Sequence, residues 1–128
     1  MEKMIINGET YVKESDVKAA STVVNTDGLP YCVIRARSAG VFVGYVKRRD
    51  KSDLTLLNAR RIWFWDGAAT LSELAMRGVK HPENCKFPCE VPTIDLTDVI
   101  EVIPATEEAK KSIDGVKVWT AWENKEES

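Results

Sequence analysis

From Pro30 onward the apolar residues recur at every second position, the period of a half-buried β-strand. In YCVIRARS, residues 31 to 38, this alternation puts Cys32, Ile34 and Ala36 on one face and Val33, Arg35 and Arg37 on the other. Ser38-Ala39-Gly40 is a turn signal, and the VFVGYVKRR that follows is a second strand rich in β-branched and aromatic residues. Asp50-Lys51-Ser52-Asp53 makes a polar turn, after which LTLLNARRIWFW predicts a third, long strand ending at Asp66-Gly67. Runs joined by such short turns pair as an antiparallel meander.

The period then changes. Thr70-Leu71-Ser72-Glu73 matches a capping box, in which Thr70 and Glu73 satisfy the free amides of a helix start. Leu71, Leu74 and Ala75 give that helix an apolar stripe, and Gly78 stops it. Residues 79 to 93 read as an irregular loop broken by prolines, and LTDVIEVIP as a fourth strand. Thr106 caps a second helix with acids early (Glu107, Glu108) and bases late (Lys110, Lys111), as the helix dipole prefers. Gly115 ends it, and VKVW adds a short edge strand.

Ahead of Pro30, Ile5, Ile6, Asn7-Gly8 and Thr10 to Val12 spell a short hairpin, and Ser15 caps a short helix. The predicted fold class is therefore α+β: an antiparallel sheet meander with two short helices packed on it, plus a small N-terminal hairpin and helix. Residues 1–29 form the N-terminal hairpin, helix and linker, residues 30–122 a single globular domain, and residues 123–128 a solvated tail.

Composition changes this picture little. Hydrophobic residues make up 44% and charged residues 30%, the balance of a globular chain. The formal net charge of −2 gives no global basic field, so neither DNA nor RNA is expected as a partner. There is no secretory h-region and no run approaching the roughly 18 apolar residues of a membrane span, which points to a cytosolic protein without a membrane partner. Three cysteines, an odd number, suit reduced thiols. His81, Cys85 and Cys89 fall at four-residue intervals, but the two prolines between them and the lack of a second Cys/His pair argue against metal.

The densest chemistry lies in NARRIWFWDG, residues 58 to 67. On a strand, Arg61, Trp63 and Trp65 project one way, and Arg60, Ile62 and Phe64 the other. Ile62 with Phe64 is the more apolar choice for the core. Arg35 and Arg37 of the first strand can approach this segment, in a register the sequence does not specify. An aromatic plane stacks a nucleobase and a guanidinium pairs bidentately with phosphate, so Arg35, Arg37, Asn58, Arg60, Arg61, Trp63 and Trp65 are candidate ligand-binding residues. The same pairs also stabilise sheets without any ligand. No catalytic constellation competes: His81 sits alone in a proline-rich loop, and no nucleophile elbow or phosphate loop occurs. Neither an enzyme nor a cofactor is expected.

The order IRARSAGVFVGYV, NARRIWFWDGAATLSELA, LTDVIEVIPATEEAKKSI and a late VW resembles a family of small tailed-phage proteins. These share an R-x-x-SAGV-x-x-G block, an ARRIW-aromatic-W-x-GA block and a closing EVIEIIP-like strand. Arg35 (or Arg37), Ser38 to Val41, Gly44, Ala59 to Trp63, Trp65, Gly67 and Ala68 fit that pattern, and the resemblance covers residues 31 to 119. The family is similar to the phage anti-Thoeris sponges, which sequester the cyclic ADP-ribose signals made by bacterial TIR-domain immune enzymes. The resemblance implies binding without cleavage, homo-oligomers with pockets between subunits, and action in the cytoplasm of the infected bacterial host. Some sponges also hold cyclic di- or trinucleotides at a separate site. The expected function is thus a counter-defence sponge for a cyclic nucleotide signal. The alternative is a phage protein–protein interaction module, a host inhibitor or virion accessory, whose exposed Trp and Arg form the interface.

Overall fold

The computed structural model describes residues 23–122. The expected N-terminal hairpin and helix and the tail 123–128 lie outside these residues. Five strands form one antiparallel sheet: β1 (Tyr31–Ala36), β2 (Gly40–Asp50), β3 (Asp53–Arg61), β4 (Glu90–Leu96) and β5 (Val99–Pro104). Two helices, α1 (Leu71–Arg77) and α2 (Glu107–Asp114), complete the α+β domain. The meander of β1, β2 and β3 is as the alternation predicts. Residues 79 to 93, however, are not simply a loop, because EVPTIDL pairs with β3 as strand β4. Pro92 disguised it: proline is tolerated there because β4 is an edge strand with one side unpaired. VKVW contributes a single bridge, Val118 beside Phe87.

The strand order is β4-β3-β2-β1-β5, so β4 and β5 occupy opposite edges although only Thr97 and Asp98 separate them. A two-residue link cannot span a flat five-stranded sheet at about 4.8 Å per strand. The sheet therefore curls until its edges approach at one end. Two bonds hold that end: Arg37 N–H donates to Asp98 O and Val99 N–H to Ser52 O, both at 2.9 Å. Inside the curl every strand contributes to one apolar cluster, with Ile34 (β1), Phe42 (β2), Leu56 and Ala59 (β3), Leu96 (β4) and Val99 (β5) buried. Gly44 permits the tight bend of β2, since a Cβ there would stand 2.7 Å from Leu56 Cγ.

Register shifts between Val43 and Tyr45 where Asn58, at φ +50°, adds a residue to β3. An extra residue turns the following side chains to the other face. Before it Leu54 and Leu56 fill the inner cluster; after it Ala59 does, while Arg60 and Ile62 point outward.

The outer face of the sheet is covered by both helices. Tyr31, Val33, Val43 and Ile62 meet Leu74 and Ala75 of α1 and Ala109 and Ile113 of α2. The caps are those the sequence predicts. Thr70 Oγ1 accepts from Glu73 N–H, and Thr106 Oγ1 from Ala109 N–H, each at 3.1 Å. The helices are tied together by Thr106 Oγ1 donating to Met76 O at 2.7 Å and by Ser112 Oγ, which accepts from Val79 N–H at 2.9 Å.

Arg60 locks this layer down. The residue is only 8% exposed, and its guanidinium carbon lies 5.4 Å from the centre of the Phe87 ring. It donates to Pro88 O (3.0 Å), Phe87 O (3.3 Å), Ile113 O (3.0 Å) and Val116 O (2.8 Å). Burial lowers its pKa from the ordinary value, the cost of removing a cation from water. The carbonyls at the end of α2 offset that cost, as the negative end of a helix does for any cation. Arg60→Met, similar in length but without donors, leaves these carbonyls unpaired. We expect a loss of about 3 kcal/mol or more in urea unfolding, with Arg60→Lys recovering only part of it.

Cys32 is buried in the inner cluster, and burial pushes its thiol up to about 11. Below about pH 9 it is protonated whether the chain is folded or not. Between about 9 and 11 the unfolded chain loses a proton that the folded chain keeps, so stability falls as pH rises through this window. Urea midpoints across it should decline less steeply in Cys32→Ala than in the parent protein.

A candidate ligand-binding groove

Beyond Arg61 the chain leaves the sheet. Trp63 and Phe64 N–H both donate to Lys86 O, at 3.1 and 3.2 Å, and Lys86 N–H returns a bond to Phe64 O at 2.8 Å. The strict alternation expected through Trp65 therefore ends at Arg61. Phe64, expected in the core, is exposed, whereas Trp65 packs against the outer cluster. Trp65 Nε1–H donates to Ala68 O at 3.1 Å, which fixes the indole over the turn that follows. Gly67, at φ +105°, makes that turn possible: a Cβ would sit 2.3 Å from Lys80 N. The segment then enters α1 at Leu71.

Between this segment and the hairpin lies an open groove of about 590 Å³. It is lined by Arg35, Ala36, Arg37, Gly40 and Val41 of the hairpin, by Trp65, Thr70, Leu71 and Ser72 of the following segment and helix start, and by Glu101 of β5. Arg35 and Glu101 are cross-strand neighbours, their charged groups 3.9 Å apart. Both are about half exposed, so the pair contributes little to stability and leaves the guanidinium donors available. Arg61 braces the hairpin tip: it donates to Ala39 O at 2.8 Å and lies 4.5 Å from the centre of the Phe42 ring.

Of the seven residues that the sequence marks for ligand binding, Arg35, Arg37 and Trp65 come together here. Four do not. Asn58 holds the β3 bulge and donates to Glu90 Oε2 at 3.1 Å. Arg60 is the buried clamp. Arg61 is committed to Ala39 and Phe42, beside a smaller apolar depression of about 200 Å³. Trp63 stacks on Trp119, ring centres 6.4 Å apart and planes 13° from parallel, on a different surface. Thr70, Ser72 and Glu101 were missed as lining residues. TLSE reads as a cap and DVIEVIP as a strand; nothing local says that the curl brings them beside Arg35.

Another depression, of about 240 Å³, sets Arg48 among three carboxylates, Asp50, Asp53 and Asp95, so its charge is net negative and disfavours an anion. Cys85 is buried and donates to His81 O at 3.5 Å, and His81 Nδ1 lies 3.7 Å from Glu83. Among the described residues no helix is long and apolar enough to cross a membrane.

These features define a small α+β domain with a cationic, aromatic-walled groove. Residues 29–113 match the family described as a domain of unknown function, DUF6948. That match takes in more than half of the chain, which belongs to this family. No curated protein and no solved structure matches it.

The geometry separates Arg61 from Trp63. Arg61→Ala loses a charge-assisted bond and a ring contact and is expected to cost about 1–2 kcal/mol. Trp63→Ala, at an exposed position, should change stability by less than about 1 kcal/mol. Denaturant midpoints of the two variants check both values.

Proposed function

We propose that the protein is a non-catalytic binding protein that sequesters a cyclic nucleotide signal, of the class of the cyclic ADP-ribose isomers, in the groove between the β1–β2 hairpin and α1. The observation that carries this reading is the gathering of Arg35, Arg37 and Trp65 around one groove of about 590 Å³. That volume lies within the range of roughly 300–1,000 Å³ of small-molecule sites. Two guanidiniums suit two phosphates, an indole face suits a purine, and the hydroxyls of Thr70 and Ser72 suit ribose. The groove contains a single carboxylate, Glu101, and neither histidine nor cysteine, so it offers no acid–base pair for hydrolysis. The resemblance to the phage sponges supports the same chemistry, and with it a role in the infected host.

Isothermal calorimetry against cyclic ADP-ribose isomers and cyclic di- and trinucleotides tests the proposal. One member should bind, be recovered intact after the protein is heated, and bind at least about tenfold more weakly to Arg37→Ala, whose melting is unchanged. Absence of binding to every member at high protein concentration rejects it. A second reading, docking on another protein, draws on a separate exposed aromatic face.

A further inference from the structure

Glu101 is the lining residue of the groove whose charge opposes an anion, and its setting is not that of a closed ion pair. It stands opposite Arg35 in the register of β1 and β5, with Oε1 3.9 Å from the Arg35 Nη1. A direct charge-assisted hydrogen bond would bring these atoms to about 2.7–2.9 Å. The observed gap is too long for one. Among the described residues the Glu101 side chain has no other polar partner, so its acceptor positions stay open at the groove.

A carboxylate only accepts hydrogen bonds and a guanidinium only donates them. A group that fits between them must do both at one atom, and a hydroxyl does. An oxygen about 2.7 Å from the carboxylate and about 2.9 Å from the guanidinium spans a gap of 3.9 Å. A phosphate oxygen at that point would be repelled by Glu101, and an ammonium by Arg35. We infer that Glu101 is a specificity-determining residue of the groove: with Arg35 it holds a sugar hydroxyl, and so selects ribonucleotides with free 2′ and 3′ hydroxyls over deoxy analogues and bare phosphates. This rests on the reading of the groove as a nucleotide site. The remaining donors of Arg35, and those of Arg37, take the phosphates. In a nucleotide the atoms next to a phosphate are those of the sugar, and the hydrogen-bonding edge of the base lies farther away. A carboxylate beside Arg35 therefore meets hydroxyls rather than base amines.

Calorimetric titration of the full chain with adenosine 5′-diphosphate, its 2′,3′-dideoxy analogue and inorganic pyrophosphate tests the inference. The ribonucleotide is expected to bind at least about tenfold more tightly than the other two, the discrimination that a charge-assisted bond to a hydroxyl supplies. Glu101→Ala brings the ribonucleotide and its dideoxy analogue to within about twofold of each other. Glu101→Gln, which keeps the shape and removes the charge, strengthens pyrophosphate binding at least about threefold. An exposed pair contributes little to stability, so the melting of both variants stays that of the parent. Equal binding of the two nucleotides to the parent, or a preference that survives Glu101→Ala, overturns the inference and leaves nucleotide sequestration standing. No binding of the ribonucleotide overturns it equally. Hydroxyl-dependent binding of the ribonucleotide, with no binding of any cyclic nucleotide, supports the role of Glu101 and rejects the sequestration of a cyclic signal.

Discussion

One buried cation holds the outer layer together. Arg60 takes four backbone carbonyls from two segments that reach the sheet only through tertiary folding, Phe87 and Pro88 ahead of β4 and Ile113 and Val116 at the end of α2. A guanidinium placed there without those acceptors would cost several kcal/mol, so the clamp is made as a unit or not at all. Fixing Phe87 also fixes its neighbour Lys86, whose backbone carries Trp63 and Phe64, and Val118 and Trp119 on the other side. The bridged segments around Trp63, Lys86 and Val118 thus depend on an arginine that contacts only the Phe87 ring among them.

The same accounting sorts the arginines by use. A guanidinium has five N–H donors, and those spent on carbonyls are lost to a phosphate. Arg60 has spent four and Arg61 one, with its plane on Phe42 besides. Arg35 and Arg37 keep their side chains at the groove, Arg35 facing Glu101 only at 3.9 Å. The tryptophans divide similarly: Trp65 is held by Ala68 O as a groove wall, whereas Trp63 is exposed and stacks on Trp119. Two indoles only two residues apart thus face different surfaces of the domain.

Local signals made much of this legible. The meander, both capped helices and the split of Arg60 and Ile62 from Arg61 follow from alternation, capping residues and the Asp66-Gly67 turn, all of which act within a few residues. Strand β4 was not legible, because Pro92 reads as a breaker unless the strand is known to lie at an edge. Nor was the fate of Phe64 and Trp65, since nothing nearby announces that the chain turns from β2 to pair with Lys86 instead.

The sequence by itself determined which stretches become strands and helices and where the aromatic and basic side chains are concentrated, because propensity, period and capping are local energies. Only the tertiary structure decided which arginine is a clamp and which is free, and which tryptophan walls a groove and which faces outward. Those outcomes depend on the curl imposed by the two-residue link between β4 and β5 and on the one-residue bulge at Asn58. Both set which distant segments meet, and burial and carbonyl partners then assign each side chain its role.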